Sequence, residues 1–405
     1  MHLRCIQCAA TFDLHERVLA CGDCGDLLEV VISDVAIDPS DLKHLWLERR
    51  MSNSGRNRSG VWRFREFLPG DYSEQQVVTL GEGNVPLVSG KKTAEWVGIK
   101  DLSFKHLGWN PTGSFKDLGM TVGMTEAKFV GAKAVGCAST GNTSASMAAY
   151  AARAGVKAKV YLPAGKLSHN KLAQALDFGA EIIQVEGSFD HALDTMLASG
   201  DDVYFLNSIN PFRLEGQKTA IFELLEQLNW KVPDYVVVPG GNLGNSSSFG
   251  KAFEELTAAG LIERSPRLVV VQAAGASPFS KLYQSGEKEL TPTEHPETVA
   301  TAIRIGNPRS WKKALRAVRN TDGFVMDVTD EEIAEAKAMI GRDGIGCEPA
   351  SAATLAGLRK LRSQGRIDSE SMVVAVLTGH ALKDTDFIIS SQQRTEAAAL
   401  AEVQP

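Results

Sequence analysis

Three things are missing from this chain, and each closes off a class of function. There is no positive excess: 43 Lys plus Arg stand against 49 Asp plus Glu, a net charge of −6. No overall field would hold the protein on DNA, RNA or an acidic membrane, so any anion must be met by a local site. No stretch approaches the ~20 apolar residues of a membrane span, and Met1 to Ala10 show no basic segment leading into an apolar one. The expectation is a cytoplasmic protein with no membrane and no nucleic acid among its partners. Nor are the cysteines spread along the chain: four of the 6 fall between Cys5 and Cys24, while Cys137 and Cys347 stand alone. That argues against a secreted disulfide framework and for reduced sulfur. With 43% hydrophobic and 23% charged residues over 405 positions, and no fixed-period repeat, what remains is a globule of two or three domains.

Composition divides the chain into zones. A Cys-rich head ends near Val30. A polar, arginine-bearing stretch from Asp38 to Asp71 reads as an arm or linker with a short helix near Asp41–Arg50. From Leu80 onward, β-branched runs alternate with helical patterns. Lys159–Leu162, Glu181–Val185, Val203–Leu206, Tyr235–Val238, Leu268–Gln272 and Met372–Leu377 read as strands. Ser168–Asp177, Phe189–Ser199, Glu215–Leu228, Ser246–Leu261 and Pro349–Ser363 read as helices. Such alternation implies parallel sheets covered on both faces, with ligands beyond the carboxyl ends of the strands.

The loops in those places carry chemistry. In the head, Cys5-Ile6-Gln7-Cys8 and Cys21-Gly22-Asp23-Cys24 form two knuckles able to set four thiolates around Zn²⁺. Four sulfurs leave no open coordination position, so such a zinc is structural. Acidic Asp13, Glu16, Asp23, Asp26 and Glu29 around it argue against a nucleic-acid ribbon. In Asn110-Pro111-Thr112-Gly113-Ser114-Phe115-Lys116-Asp117, the lysine follows a Pro/Gly turn at the start of a helix, a setting that lowers an amine's pKa toward Schiff-base use. By itself it would be an ordinary surface lysine. Pro239-Gly240-Gly241-Asn242-Leu243-Gly244-Asn245 joins a strand to a helix and offers backbone N–H groups to a phosphate. It lacks the Lys-Ser/Thr of a nucleotide loop and the dinucleotide fingerprint, so a cofactor's small phosphate suits it better. Ser139-Thr140-Gly141-Asn142-Thr143-Ser144 precedes the Ala-rich helix Ala145–Ala154 and suits a carboxylate or phosphate, or serves as a helix cap. Asn207 to Arg213 supplies an arginine fork for a phosphate, and Leu377-Thr378-Gly379-His380 closes the last strand with a hydroxyl. His106, His380, Cys137 and Cys347 read as packing groups, and Glu348 beside Pro349 is left without a role.

Together the strings NPTGSFKD, CASTGNTSAS, NSINPFRLEGQKT, PGGNLGN and TGHALKD resemble the threonine synthase family, plant-like branch, of the fold-type II pyridoxal-phosphate enzymes. The similarity runs from about Leu80 to Asp384. It implies an α/β fold of the tryptophan synthase β-like kind: two open parallel-sheet domains plus an N-terminal zinc-ribbon-like knuckle. The boundaries expected are a four-cysteine, zinc-ribbon-like head at 1–30, an arm at 31–80, a large cofactor domain at 81–120 and 215–390, a small closing domain at 121–214 and a tail at 391–405. The cofactors implied are pyridoxal 5'-phosphate and structural zinc on Cys5, Cys8, Cys21 and Cys24. By motif position, Lys116 would hold the cofactor covalently and move protons, with Phe115 beside it and Asn142 at the phenolic oxygen. Gly241, Asn242, Leu243, Gly244 and Asn245 would bind its phosphate, and Thr378 would face the ring nitrogen. Ser139, Thr140, Thr143, Ser208 and Arg213 would hold the substrate.

The implied activity is a carbon–oxygen lyase reaction on O-phospho-L-homoserine, giving L-threonine and phosphate, in a homodimer. Leu118, Val85 and Ala381 depart from the usual residues of the family, and Val85 and Ala381 leave the pocket's shape open. Two alternatives stay beside this reading: another enzyme of the fold, such as a threonine or serine deaminase or a cysteate synthase, or a silent relative kept as a binding module.

Overall fold

Nearly unbroken runs of Val, Leu and Ala form the centre of the molecule, as expected for strands covered on both faces. The computed structural model describes residues 1–32, 35–52, 54–164, 169–186, 195 and 203–390. The expected helix Phe189–Ser199, apart from Thr195, and the expected tail at 391–405 lie outside the described residues. The chain opens with β1 (His2–Cys5), β2 (Thr11–Phe12) and β3 (Leu28–Val31), which pair antiparallel in the order β2-β1-β3. Helix α1 (Pro39–Met51) follows, then β4 (Leu87–Ser89), α2 (Lys91–Val97), β5 (Asp101–His106) and α3 (Lys116–Phe129).

A parallel unit comes next: β6 (Ala134–Ala138), α4 (Asn142–Ala154), β7 (Lys157–Pro163), α5 (His169–Asp177), β8 (Glu181–Val185) and β9 (Val203–Phe205). Its four strands order as β8-β7-β6-β9, all parallel. Helix α6 (Pro211–Gln227) leads to β10 (Tyr235–Pro239), α7 (Gly244–Ala258), β11 (Arg267–Ala273), α8 (Pro278–Ser285) and α9 (Trp311–Asn320). The described chain continues through β12 (Phe324–Val328), α10 (Asp330–Arg342), α11 (Pro349–Ser363) and β13 (Met372–Leu377). These strands complete a six-stranded sheet, β12-β11-β10-β13-β5-β4, parallel except for β4 at its edge. Among the described residues, no helix is long and apolar enough to cross a membrane.

The strands expected from β-branched runs are present, with ends moved by a residue or two. β5 was not foreseen, because DLSFKH contains no β-branched residue and so is not one of the runs that marked the other strands. In the sheet, Lys105 is buried and its ammonium is met by Glu223, by Gln227 Oε1 at 2.9 Å and by the Val85 carbonyl at 2.8 Å. The arginine-bearing stretch is also more than a linker. Leu42, Trp46, Val61, Trp62, Phe64, Phe67, Leu68 and Tyr72 are buried in one core cluster with α6 and α7. Its arginines are tied down as well: Arg49 forks onto Glu66 at 2.6 and 2.8 Å, and Arg63 donates to Glu226 at 2.5 Å. A polar composition concealed an element that packs through its aromatic residues and pairs its charges inside.

Helix α3 has a face in each core. Leu118 and Val122 pack with α6 under the large sheet, whereas Met120, Met124 and Ala127 pack with the four-stranded unit. Contact with α6 is close enough that a Cβ on Gly119 would lie 2.6 Å from the Arg213 carbonyl. This packing fixes where Lys116, the first residue of α3, points.

Candidate active site

The carboxyl ends of β5, β6, β9, β10 and β13 each feed one of the loops singled out above. After β5, the turn to Lys116 is locked by Asp117, whose buried carboxylate accepts from Thr112 N (2.7 Å), Thr112 Oγ1 (2.6 Å) and Ser146 Oγ on α4 (2.5 Å). Burial pushes the Asp117 carboxyl up to about 6, against the pull of those hydrogen bonds. Lys116 lies with Nζ 4.2 Å from the centre of the Phe115 ring. Its Nζ has no hydrogen bond to any described residue. Removal from water and, next, the charge of Arg213 together lower its pKa from 10.5 to about 7, with Glu348 opposing both. A free, nucleophilic amine at neutral pH is the result.

Beyond β10, Leu243 takes the left-handed conformation (φ 63°) and starts α7. From Gly241 to Ser246, no backbone N–H donates to an acceptor among the described residues. The loop leaves little space for side chains at its glycines: a Cβ on Gly240 would sit 2.8 Å from Val270 Cγ1, and one on Gly241 3.3 Å from the Ala302 carbonyl. Asn242 braces the loop, donating to Ser208 Oγ at 2.5 Å and accepting from Arg309 N at 2.7 Å. Beside it, the buried Ser246 hydroxyl, Asn245 Oδ1 and Gln217 Oε1 have no partner among the described residues. This is a helix N-terminus with its donors left open.

The loop after β6 repeats the arrangement. Gly141 N donates to Ser139 Oγ at 3.2 Å, while the N–H groups of Asn142, Thr143 and Ser144 at the start of α4 have no acceptor among the described residues. The helix begins three residues earlier than its Ala-rich composition suggests, which brings Asn142 and Thr143 into its first turn. After β9, Asn210 caps α6 and sends Arg213 inward. Arg213 is fully buried, with one nitrogen on the Leu206 carbonyl at 2.9 Å and its Nε and Nη2 without partners among the described residues. Burial draws its pKa down to about 10. A guanidinium held this way is short of an anion.

Across from these loops, Thr378 directly follows β13. Its carbonyl accepts from Phe115 N at 2.9 Å, fixing the lysine turn to the last strand. The residue left unassigned by sequence, Glu348, lies at this junction. Buried at the N-terminus of α11, it accepts from Asn142 Nδ2 at 3.0 Å and from Thr378 Oγ1 at 3.2 Å. Burial raises its pKa, countered first by Asn142. The signal available in the sequence was Glu-Pro at a helix start, which also fits a plain cap. Of the two histidines, His106 is buried, stacks on Trp109 at 4.6 Å and bonds the Gly346 carbonyl, while His380 is half-buried and accepts from Leu382 N. The pKa values of Cys137 and Cys347 are pushed up to about 12 by burial, so neither is a nucleophile. In the head, the Sγ atoms of Cys5, Cys8, Cys21 and Cys24 all lie within 4.8 Å of one another.

Residues 78–379 match the model of the pyridoxal-phosphate dependent enzyme family. Over 393 residues the chain is 48% identical to a threonine synthase from Methanocaldococcus jannaschii, covering 96% of this chain and 95% of that protein. The chain belongs to the threonine synthase family. It is also 47% identical over 393 residues to the threonine synthase of Methanosarcina acetivorans, 96% and 93% covered. Among solved structures, it is similar in fold to Escherichia coli threonine synthase (TM-score 0.74, 19% identity, 96% and 91% covered) and to maize serine racemase (TM-score 0.64, 22% identity, 78% and 94% covered).

The residues fit the family's cofactor. A phosphate tail needs donors without an acidic rival, and the open N–H groups at Gly241 to Ser246 with the unpartnered Ser246 hydroxyl supply them. An aldehyde needs a neutral amine, and Lys116 has one. Within this family, Val85 and Leu118, both unusual, are buried packing residues; Val85 offers the site no hydroxyl, and its carbonyl serves Lys105.

Proposed function

We propose that this chain converts O-phospho-L-homoserine and water to L-threonine and phosphate. The observation that carries this reading is the desolvated Lys116 amine at the head of α3, tied through Phe115 N to Thr378 and facing the charge of the unpartnered, buried Arg213. Lys116 would hold the cofactor's aldehyde carbon, Gly241 to Asn245 its phosphate, Asn142 its phenolic oxygen, and Thr378 its ring nitrogen. When bound, that cofactor supplies a conjugated ring able to take up negative charge from a substrate carbon.

The chain's own residues do the rest. The N–H groups of Asn142 and Thr143 with the hydroxyls of Ser139, Thr140 and Thr143 receive the substrate carboxylate, and the start of α4 adds its positive end. Arg213, with Ser208 nearby on the same turn, receives the substrate phosphate through its free Nε and Nη2. Lys116, once displaced, is a base with a pKa near the working pH. It would take the proton from the α-carbon and hand it to the conjugated system of the bound cofactor, then take a second from the β-carbon as phosphate departs, deliver that one to the γ-carbon, and return a proton to the α-carbon as water adds at the β-carbon. Asp117 keeps the lysine turn rigid through those cycles by anchoring Thr112 and Ser146. A deaminase would need no grip on a second phosphate. The spare guanidinium nitrogens of Arg213 favour the phosphorylated substrate.

Four thiolates of the head would hold a structural zinc, two of them buried and two exposed. The large unit is assigned to 81–120 and 215–390, the small one to 121–214, and a homodimer in the cytoplasm completes the proposal. The test is Lys116→Ala: the expected outcome is loss of both the borohydride-bleachable visible chromophore and phosphate release from phosphohomoserine. A variant with full turnover would overturn the assignment.

A further inference from the structure

Ser351, on the first turn of α11, is fully buried and accepts two backbone N–H groups, from Thr378 at 2.8 Å and Gly379 at 3.1 Å. A hydroxyl oxygen has two lone pairs and one hydrogen. Both lone pairs are taken, so the hydrogen of Ser351 must go to its remaining partner, Thr378 Oγ1 at 3.1 Å. Thr378 therefore receives from Ser351 and has a single hydrogen to give. Glu348 Oε1 stands 3.2 Å away to accept it, while Glu348 Oε2 takes Asn142 Nδ2 at 3.0 Å. The carboxylate thus joins the start of α4, beside the four-stranded sheet, to the end of β13 in the six-stranded one. Gly379 leaves the space for it: a Cβ there would fall 2.4 Å from Glu348 Cδ.

We propose that Glu348 is a positioning residue for the cofactor ring, holding Asn142 and Thr378 in register across the cleft and competing with the ring nitrogen for the one hydrogen of the Thr378 hydroxyl. This rests on the reading of Asn142 and Thr378 as ring-binding residues. With a carboxylate at 348, the Thr378 hydrogen is drawn toward Oε1 and the hydroxyl turns a lone pair to the ring. With an amide there, the oxygen still accepts from Asn142, but the NH₂ group donates to Thr378 and releases its hydrogen to the ring nitrogen. One side chain sets the direction of a hydrogen bond made by another, and through it the charge the ring nitrogen carries.

The experiment uses holoenzyme reconstituted with pyridoxal phosphate labelled with ¹⁵N in the ring. Glu348→Gln should move the ring-nitrogen resonance and the visible band relative to wild type while cofactor affinity stays within about threefold, because one acceptor oxygen is kept. Glu348→Ala, which frees both partners, should weaken cofactor binding by about tenfold or more. An unchanged resonance and band in Glu348→Gln would overturn the proposal even if the alanine variant fails to fold. So would an alanine variant that binds as tightly as wild type with the same spectrum. If wild-type protein forms no chromophore with pyridoxal phosphate, the underlying reading falls, and the proposal with it; a chromophore that forms but ignores residue 348 removes the proposal alone.

Discussion

Adding pyridoxal phosphate to protein stripped of it should produce a visible chromophore at a rate that rises with pH and levels off above about pH 8. The attacking species is the neutral Lys116 amine, and its pKa is lowered from 10.5 to about 7, first by burial, then by the charge of Arg213. At pH 7 about half of the amine is therefore neutral, against roughly one part in 3,000 for an ordinary lysine, an advantage of about 10³ in the reactive fraction. A lowered pKa means protonation only below the midpoint, so the rate should fall about tenfold per pH unit under about pH 6. Arg213→Met removes one of the two causes at similar side-chain length and leaves burial in place. It should move the midpoint upward and slow the reaction at pH 7, with little change above pH 9. The assay is stopped-flow absorbance across the pH range at fixed cofactor concentration. A midpoint near that of an ordinary lysine, or one that Arg213→Met does not move, would refute the account of how this amine is activated.

The same Arg213→Met variant should keep the cofactor's spectrum and raise KM for phosphohomoserine by about tenfold or more, since it loses hydrogen bonds to a charged group; steady-state kinetics with an unchanged KM would take Arg213 out of the phosphate site. Gly379→Ala places a Cβ 2.4 Å from Glu348 Cδ; overpacking of this kind costs roughly 1–3 kcal/mol, so thermal denaturation should show a lower Tm and dialysis a weaker hold on the cofactor. Purified protein should contain one zinc per chain by atomic absorption, and Cys8→Ser should lose it and lower Tm by several degrees without moving the visible band. Full stability with no bound metal would exclude the structural zinc.

Much of this was legible because the chemistry sits in contiguous strings. NPTGSFKD keeps the lysine and the turn that presents it within a few residues, and PGGNLGN keeps strand, turn and helix start together. Each string fixes its own backbone, so strand ends and loop positions follow from short-range propensity and from the need to leave helix N–H groups open. Glu348 was not legible in the same way. Its meaning depends on Asn142 and Thr378, one at a helix start beside the four-stranded sheet and one just past a strand of the six-stranded sheet, and nothing about Glu-Pro at a helix start distinguishes a carboxylate turned into a cleft from one facing water. The arm between Asp38 and Asp71 failed to show its role for a related reason. Its arginines are costly to bury alone, and only the positions of Glu66 and Glu226 offset that cost.

Sequence by itself determined the class of fold, the family and the positions of the lysine turn and the glycine-rich turn, since all of these are written in local runs whose periodicity or backbone requirement needs no distant partner. Tertiary structure decided the state of those groups: which amine is dry, which guanidinium lacks an anion and which carboxylate holds two donors at once. Desolvation and hydrogen-bond geometry are properties of what surrounds an atom, and the surroundings of Lys116, Arg213 and Glu348 are assembled from parts of the chain that lie far apart in sequence.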